Sequence, residues 1–264
     1  MSKLKFYALM FAVIIGLLTT FSQTAQGQTI INPSFEVDNV PPAPGYGVIT
    51  GWTGGSGINN ATGPFADNGA IPDGQKVAFL QGGTLRQTVS SFTVGVQYRL
   101  RYYENRRSAT NAANLQVTVG GVAVVATHEV IAVGGSNSYV LKISEPFPAA
   151  AAALEIAFIT SGTGDYTVLL DKIEVGRNLV VTNNLDGGAG SLRQTVIDAA
   201  AGNIISFSNA VGGTISLTTG QIVIDKNLTI AGPGAGPADR PQRSIQPHFS
   251  GEYRRGGDRF RFDY

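Results

Sequence analysis

Leu115-Gln116-Val117-Thr118-Val119, then Gly120-Gly121, then Val122-Ala123-Val124-Val125-Ala126, is the stretch that decides the fold class of this chain. In the first run apolar and polar residues alternate at period two, which sets the apolar ones on one face of an extended strand. Two glycines between two such runs mark a two-residue hairpin, whose central positions need a positive φ. Similar strand-like runs recur upstream at 75–81, 84–89 and 98–102, and downstream at 139–143, 154–159 and 168–175. Helical periodicity is nearly missing between residues 30 and 175, so the expectation is an all-β sandwich and not an α/β fold. The alanine run at 149–153 favours helix by propensity, but it follows Pro146 and Pro148 and reads as the connection into strand 154–159.

Composition agrees. The chain has 264 residues, of which 43% are hydrophobic and 14% charged, enough apolar text to bury a real core. The 34 glycines follow no three-residue period, which excludes collagen and suits many short strands joined by tight turns. A formal net charge of +1 carries no electrostatic footprint for nucleic acid or an anionic membrane. With no cysteine, disulfides, thiolate metal sites and a cysteine nucleophile are excluded.

The compartment is read at the N-terminus. Lys3 and Lys5 precede an apolar run from Phe6 to Leu18, and Ala25-Gln26-Gly27 offers small residues for cleavage before Gln28. Residues 1–27 therefore read as a secretory signal peptide. The apolar run is too short to span a bilayer core, which takes about 20 residues. No other segment of the mature chain reads as transmembrane, so the expected location is extracellular or at the cell surface.

An ordered series of short motifs then carries a family resemblance: Asn32-Pro33-Ser34-Phe35-Glu36, Gly51-Trp52, Ala78-Phe79-Leu80-Gln81, Leu85-Arg86-Gln87-Thr88, the strand from Tyr98 to Tyr103, and Leu169-Leu170-Asp171-Lys172-Ile173-Glu174-Val175. In this order they resemble the galactose-binding-like jelly roll of several carbohydrate-binding module families, over residues 28–177. The resemblance implies a module that binds a polysaccharide or cell-surface glycan and does not cut it. It also implies a structural calcium ion tying the first strand to the last, with Glu36 and Asp171 at the matching positions and Asp38 and Glu174 as substitutes. Calcium takes six to eight oxygen ligands, so two carboxylates with main-chain carbonyls suffice. Against this stands a solvent-facing Glu36 and an Asp171 that bonds a turn.

A second unit starts near Arg177. Strand-like 178–183, the loop 186–190, a helix over 192–200 capped by Ser191, and strand-like 204–207, 214–217, 222–224 and 228–230 follow in turn. The order resembles the opening of bacterial right-handed parallel β-helix adhesins and autotransporter-like surface proteins, over residues 178–235. Such folds bury a core by stacking about three or more units, and here the pattern stops. Residues 236–264 switch to Arg/Pro/Gly-rich text, read as a disordered tail and as the frameshifted end of a longer gene or a natural basic tail.

Catalytic motifs are missing: no G-x-S-x-G, H-E-x-x-H, P-loop or HxH cluster occurs. His128 reads as a surface strand residue. Glu104, Glu129, Glu145 and Glu155 supply carboxylates, but sequence cannot pair them across a cleft as a glycosidase requires. Sugar recognition pairs aromatic faces with planar polar groups, which singles out Trp52, Tyr103 and Arg106. For Trp52 the competing reading is core packing; for Tyr103 and Arg106 it is a plain solvent-facing strand. Glycan binding thus stands first, a ligand-free spacer for a β-helix stalk second, and a hydrolase third.

Overall fold

The alternating runs pair into two sheets. The structure, a computed structural model, describes residues 28–39, 45–60, 63–107 and 110–232; the expected signal peptide and tail lie outside them. Its strands among the described residues are β1 (Thr53–Gly54), β2 (Gly57–Asn59), β3 (Val77–Leu80), β4 (Gly83–Val89), β5 (Gln97–Arg106), β6 (Ala113–Val119), β7 (Val122–Glu129), β8 (Val140–Ile143), β9 (Phe147–Pro148), β10 (Leu154–Gly162), β11 (Val168–Val181), β12 (Ile204–Phe207) and β13 (Thr229–Ile230), with an α-helix, α1 (Leu192–Asp198), and a short 3-10 turn at Gly63–Phe65. One sheet is antiparallel in the order β1-β4-β10-β6-β7; in the other, β11 lies between β3 and β5, and β8 and β9 pair with β5. The hairpin at Gly120-Gly121 forms as expected: Val119 faces Val122, and both glycines have positive φ, 56° and 80°.

Period two sorts the side chains. On β6, Ala113, Leu115, Val117 and Val119 point inward and are buried, with Asn114, Gln116 and Thr118 between them. They meet Tyr98, Leu100 and Tyr102 of β5 and Leu170 of β11 in one core, to which Phe35, Leu85, Trp52 and Phe158 also belong. Burial of such side chains stabilises by about 1.5–3 kcal/mol each, so this core is the main support of the sandwich. A smaller apolar cluster lies on the opposite, outward side of β3, β5 and β11, where Phe65, Val77, Phe79, Tyr103, Tyr139 and Leu169 pack together. The segments around Phe65 and Tyr139 cover it, joined by a bridge between Ala70 and Ser138.

The alanine run forms no helix: Ala149 N–H donates to Val96 O and Gly95 N–H to Ala149 O, which carries the chain into β10. The boundary at 177/178 falls inside β11, a single strand of 14 residues. Its first part pairs antiparallel with β5, and Asn178–Val181 pairs parallel with β12, which in turn pairs parallel with β13. A second core lies beneath, with Val181, Leu192, Val196, Ala199, Ile205 and Ile215 buried. Helix α1 begins where expected, since Ser191 Oγ accepts the Gln194 N–H, and it ends at Asp198 because Ala199 turns extended. The expected strands at 214–217 and 222–224 are not paired; their apolar residues reach the second core without a ladder partner. Among the described residues no helix is long and apolar enough to cross a membrane.

Candidate functional site

The first and last segments of the sandwich converge. Residues 32–38 turn sharply, with Asn32 and Phe35 at positive φ, and Pro33 O accepts the Ile173 N–H of β11. Lys172, also at positive φ, sits where β11 slips register against β5 between Asp171 and Glu174. That bulge keeps Ile173 facing inward and leaves Asp171 under the loop at 73–76. Asp171 is fully buried; its Oδ2 accepts the Asp73 N–H at 2.8 Å and its Oδ1 the Lys172 N–H at 2.7 Å. Glu36 Oε1 accepts the N–H groups of Gln75 and Lys76 at 2.7 and 2.6 Å. Gly74, between Asp73 and Gln75, has a φ of +69°, a left-handed conformation that favours glycine.

Burial pushes the Asp171 carboxyl up to about 8, against its two N–H donors, and the nearby Asp73 and Glu36 push it further. Asp171 therefore feels the charges of Asp73 and Glu36. Lys76 Nζ stands on the carbonyls of Glu36 and Asp38 at 2.8 and 2.6 Å, so the first segment already presents a carbonyl cradle to a cation. Among the described residues no ready group of three His, Cys, Asp or Glu ligands is present. A calcium ion would draw on the carboxylates with main-chain oxygens making up its shell. Asp38 is turned away, accepting from Thr50 and Asn32, and Glu174 pairs with Arg101.

Of the expected sugar-contact residues, Trp52 and Tyr103 are buried and Arg106 is partly buried. Trp52 packs against Phe35 and Phe158 and donates its indole N–H to Asn32 O at 3.2 Å. Tyr103 is 8% exposed beneath the covering segments. Arg106 directs Nε to Val130 O and Nη1 to the carbonyls of Thr110 and Asn111. Two rings lie closed in, and the guanidinium is engaged in holding loops.

An exposed aromatic residue lies elsewhere, on the segment before β1. Tyr46 is 53% exposed, its ring edge against Phe79, its hydroxyl donating to Gln81 Oε1. Gln81 Nε2 donates to Thr167 Oγ1 at 3.1 Å, and the Gln81 N–H donates to Ser56 Oγ at 2.9 Å. Beside them, the turn at Gly82-Gly83 is open: a Cβ on Gly83 would meet nothing within 4 Å, and one on Gly82 only the Tyr166 hydroxyl at 3.4 Å. Tyr166 is half-buried against the main core. The Gln81 amide thus joins Tyr46 to Thr167 and keeps a further donor and acceptor lone pair, with the Tyr166 hydroxyl close to Gly82. Sequence analysis does not single out Tyr46, because nothing local marks it as exposed.

His128 is also not a free surface group. Its Nε2 lies 2.8 and 3.0 Å from the two oxygens of Glu104, which is 1% exposed, and Lys142 Nζ lies 3.4 Å away. The bond from Glu104 raises the histidine above its ordinary value, burial opposing it. Glu104 points between the sheets, whereas Glu155 faces out of the other sheet opposite Arg86. The five-stranded sheet separates these two carboxylates, so they do not flank one cleft.

No protein-family model and no curated protein matches the chain. Among solved structures, a family 61 carbohydrate-binding module in complex with β-1,4-galactotriose is 16% identical with a TM-score of 0.41, the match covering 57% of this chain and 98% of that one. The CBM22-1 xylan-binding domain of Paenibacillus barcinonensis Xyn10C is 15% identical with a TM-score of 0.37, covering 56% and 94%. The enzymatically active domain of bacteriophage CBA120 tailspike protein 4 is 14% identical with a TM-score of 0.36, covering 57% and 21%. At these identities and TM-scores the likenesses assign this chain neither a ligand nor an activity.

Proposed function

We propose that this chain is a secreted, non-catalytic glycan-binding module, with its sugar-contact site at the Tyr46–Gln81–Tyr166 rim. The observation that carries this reading is an exposed aromatic ring held in place, by Gln81 and Phe79, beside an open double-glycine turn. A ring fixed before binding spares the ordering cost of a mobile side chain. Its face suits the C–H surface of a sugar, while the Gln81 amide and both hydroxyls suit sugar hydroxyls. Glu36 and Asp171, with Asp73 beside them, would hold a calcium ion that ties the chain ends of the sandwich. The ion would neutralise converging carboxylates and supply no chemistry. The parallel rungs after Arg177 would be the first coils of a β-helix stalk that displays the module, and residues 1–27 its export signal.

Titration calorimetry of a glycan panel against the wild type and Tyr46→Ala tests the reading. Binding by the wild type, weakened tenfold or more in the variant, is expected, since a stacked aromatic ring is worth about 0.5–1.5 kcal/mol beyond its buried area. Flat heats across the panel would favour the ligand-free spacer, and turnover of a glycan would bring back the hydrolase.

A further inference from the structure

Residues 130–139 run from the end of β7 to the start of β8 and form a strap across the outward side of β5. The strap carries no charged residue of its own. Val130 N–H donates to Ala113 O at 2.9 Å, and Ile131 O accepts the Arg106 N–H at 3.3 Å. Asn105 grips the middle: its Oδ1 accepts the Val133 N–H at 2.8 Å, and its Nδ2 donates to Val133 O at 3.2 Å. Further on, Gly135 N–H donates to Asp67 Oδ1 at 2.7 Å, and Asn137 O accepts the Ala70 N–H at 2.8 Å. The strap so held brings its own Tyr139 into the cluster with Phe65, Phe79 and Tyr103.

Both roots of the strap are tied to one buried carboxylate. His128, just before it, places Nε2 2.8 and 3.0 Å from the two oxygens of Glu104, and Lys142, just after it, places Nζ 3.4 Å from one of them. His128 belongs to the five-stranded sheet, and Glu104 and Lys142 to the other, so the tie also crosses between the sheets. His128 Nδ1 lies 3.0 Å from Ala126 O. Each ring nitrogen thus faces an acceptor, and only an imidazolium carries an N–H on both. A neutral ring would turn a lone pair toward the carboxylate or the carbonyl. The other charged and titratable groups nearby do not replace that proton. On β5, burial and the Glu104 charge push the Tyr102 hydroxyl up, so it stays neutral, and Arg106 is turned to Val130 O. On β7, Glu129 stands opposite Asn114 and is exposed, while β6 opposes His128 itself with Leu115.

We propose that His128, Glu104 and Lys142 form a proton-dependent latch that holds the strap shut, and that loss of the His128 proton frees the strap at its β7 root. Because the Glu104 bond raises the histidine, against burial and Lys142, the latch is fully made below about 6.5, the ordinary histidine value. It loosens as pH rises through the raised folded value. Gly134 and Gly135 in the middle of the strap let the backbone bend there. Release uncovers the Tyr103 and Tyr139 rings that the closed strap hides. The latch rests on neither the glycan reading nor the calcium reading.

Hydrogen exchange of the full chain across a pH series from about 6 to about 9, corrected for the base catalysis of exchange itself, tests the latch in wild type and His128→Gln. The Val133, Gly135 and Ala70 amides report the strap, and the β6 amides report the core. In the wild type the strap amides should exchange about tenfold faster at the top of the series, as expected when a charge-assisted bond is lost, while β6 keeps its protection. The midpoint should match that of the His128 ring followed by nuclear magnetic resonance, a comparison that needs no substitution. His128→Gln, checked by near-ultraviolet circular dichroism, should show the fast strap exchange at every pH. Strap protection that does not change with pH, a midpoint away from that of His128, equal loss in strap and β6, or a His128→Gln variant that keeps the wild-type step would each overturn the proposal.

Discussion

Raising the pH of the metal-free protein from about 5 to about 7 should lower its melting temperature, and calcium should cancel the loss. The origin is Asp171, whose carboxyl is pushed up to about 8 by burial and by Asp73 and Glu36. In the unfolded chain the same group titrates near the ordinary aspartate value, about 3.9. Between those values the folded state holds a proton that the unfolded state has released, so stability falls as pH rises. Each unit costs about 1.4 kcal/mol, which makes about 3 kcal/mol over two units. For a chain of this size that lowers the melting temperature by roughly 5–12 °C. Calcium replaces the proton as the neutralising cation, and a hundredfold excess over its dissociation constant restores about 2.7 kcal/mol. The calcium response should therefore be larger at the higher pH. The assay is a set of thermal melts in chelator and in calcium, for wild type and Asp171→Asn. The variant carries no charge to bury, so it should show neither the Asp171 component of the pH slope nor the calcium shift. A wild-type melt in chelator that stays level or rises with pH would refute the Asp171 argument. A wild-type melt that calcium leaves unmoved would refute the metal.

Three further outcomes follow from other contacts. In Glu104→Gln, His128 should titrate lower than in the wild type when followed by nuclear magnetic resonance, because the Glu104 bond is the largest cause of its raised value. The stability that this pair contributes is present in full below about 6.5, the unfolded histidine value, and should fade as pH rises through the raised folded one; a His128 resonance that titrates alike in both proteins would contradict this. Gly176→Ala should destabilise by about 1–3 kcal/mol in denaturant melts, since its Cβ would overlap Gly202 O; a neutral result would mean that the two units are not held at that junction. Asp186 accepts from Arg193 and from the backbone N–H groups of Thr218 and Thr219, so Asp186→Ala should open the 216–222 segment to proteolysis before the sandwich is cut; simultaneous cleavage of both would argue against a local role.

What the sequence makes legible here is whatever is local and periodic. The β6–β7 hairpin could be read because alternation and two adjacent glycines leave few alternatives. Strand β12 could be read as well, as a short apolar run between turns. The Glu36 and Asp171 positions came from the order of motifs at the chain ends, and the ends do meet, because Pro33 O bonds Ile173 N–H. Burial on the second face of a sheet is a different kind of fact. In Tyr102-Tyr103-Glu104-Asn105, alternation sends Tyr102 and Glu104 toward the core and Tyr103 and Asn105 outward. An outward tyrosine next to arginines then reads as solvent-facing, yet loops around Phe65 and Tyr139 close over it. Those loops carry no period, so nothing in their own text announces what they cover.

The same limit explains His128 and Tyr46. His128 looks like one polar residue on an edge strand until β5 of the other sheet brings Glu104 to it, 24 residues away in sequence. Tyr46 sits in a glycine-rich loop whose place is set by Gly45 and Gly57, where a Cβ would stand about 2 Å from a facing backbone oxygen. A motif names residue types, whereas exposure is decided by which loop folds over which face. That is why Trp52, the residue that composition makes most conspicuous, is a core group, and why the available ring is a tyrosine that no motif contains. For this sandwich the proposed glycan surface follows from its loop closures, and the test that separates the two accounts is direct. Tyr46→Ala should leave the thermal melt nearly unmoved, since its ring is more than half exposed and exposed substitutions usually shift stability by about 0.5 kcal/mol or less. Trp52→Ala should cost about 3–5 kcal/mol, as loss of a buried aromatic does. If Trp52→Ala instead lost glycan binding while keeping the wild-type melt, the ring would be a contact residue and the assignment of the rim would fall.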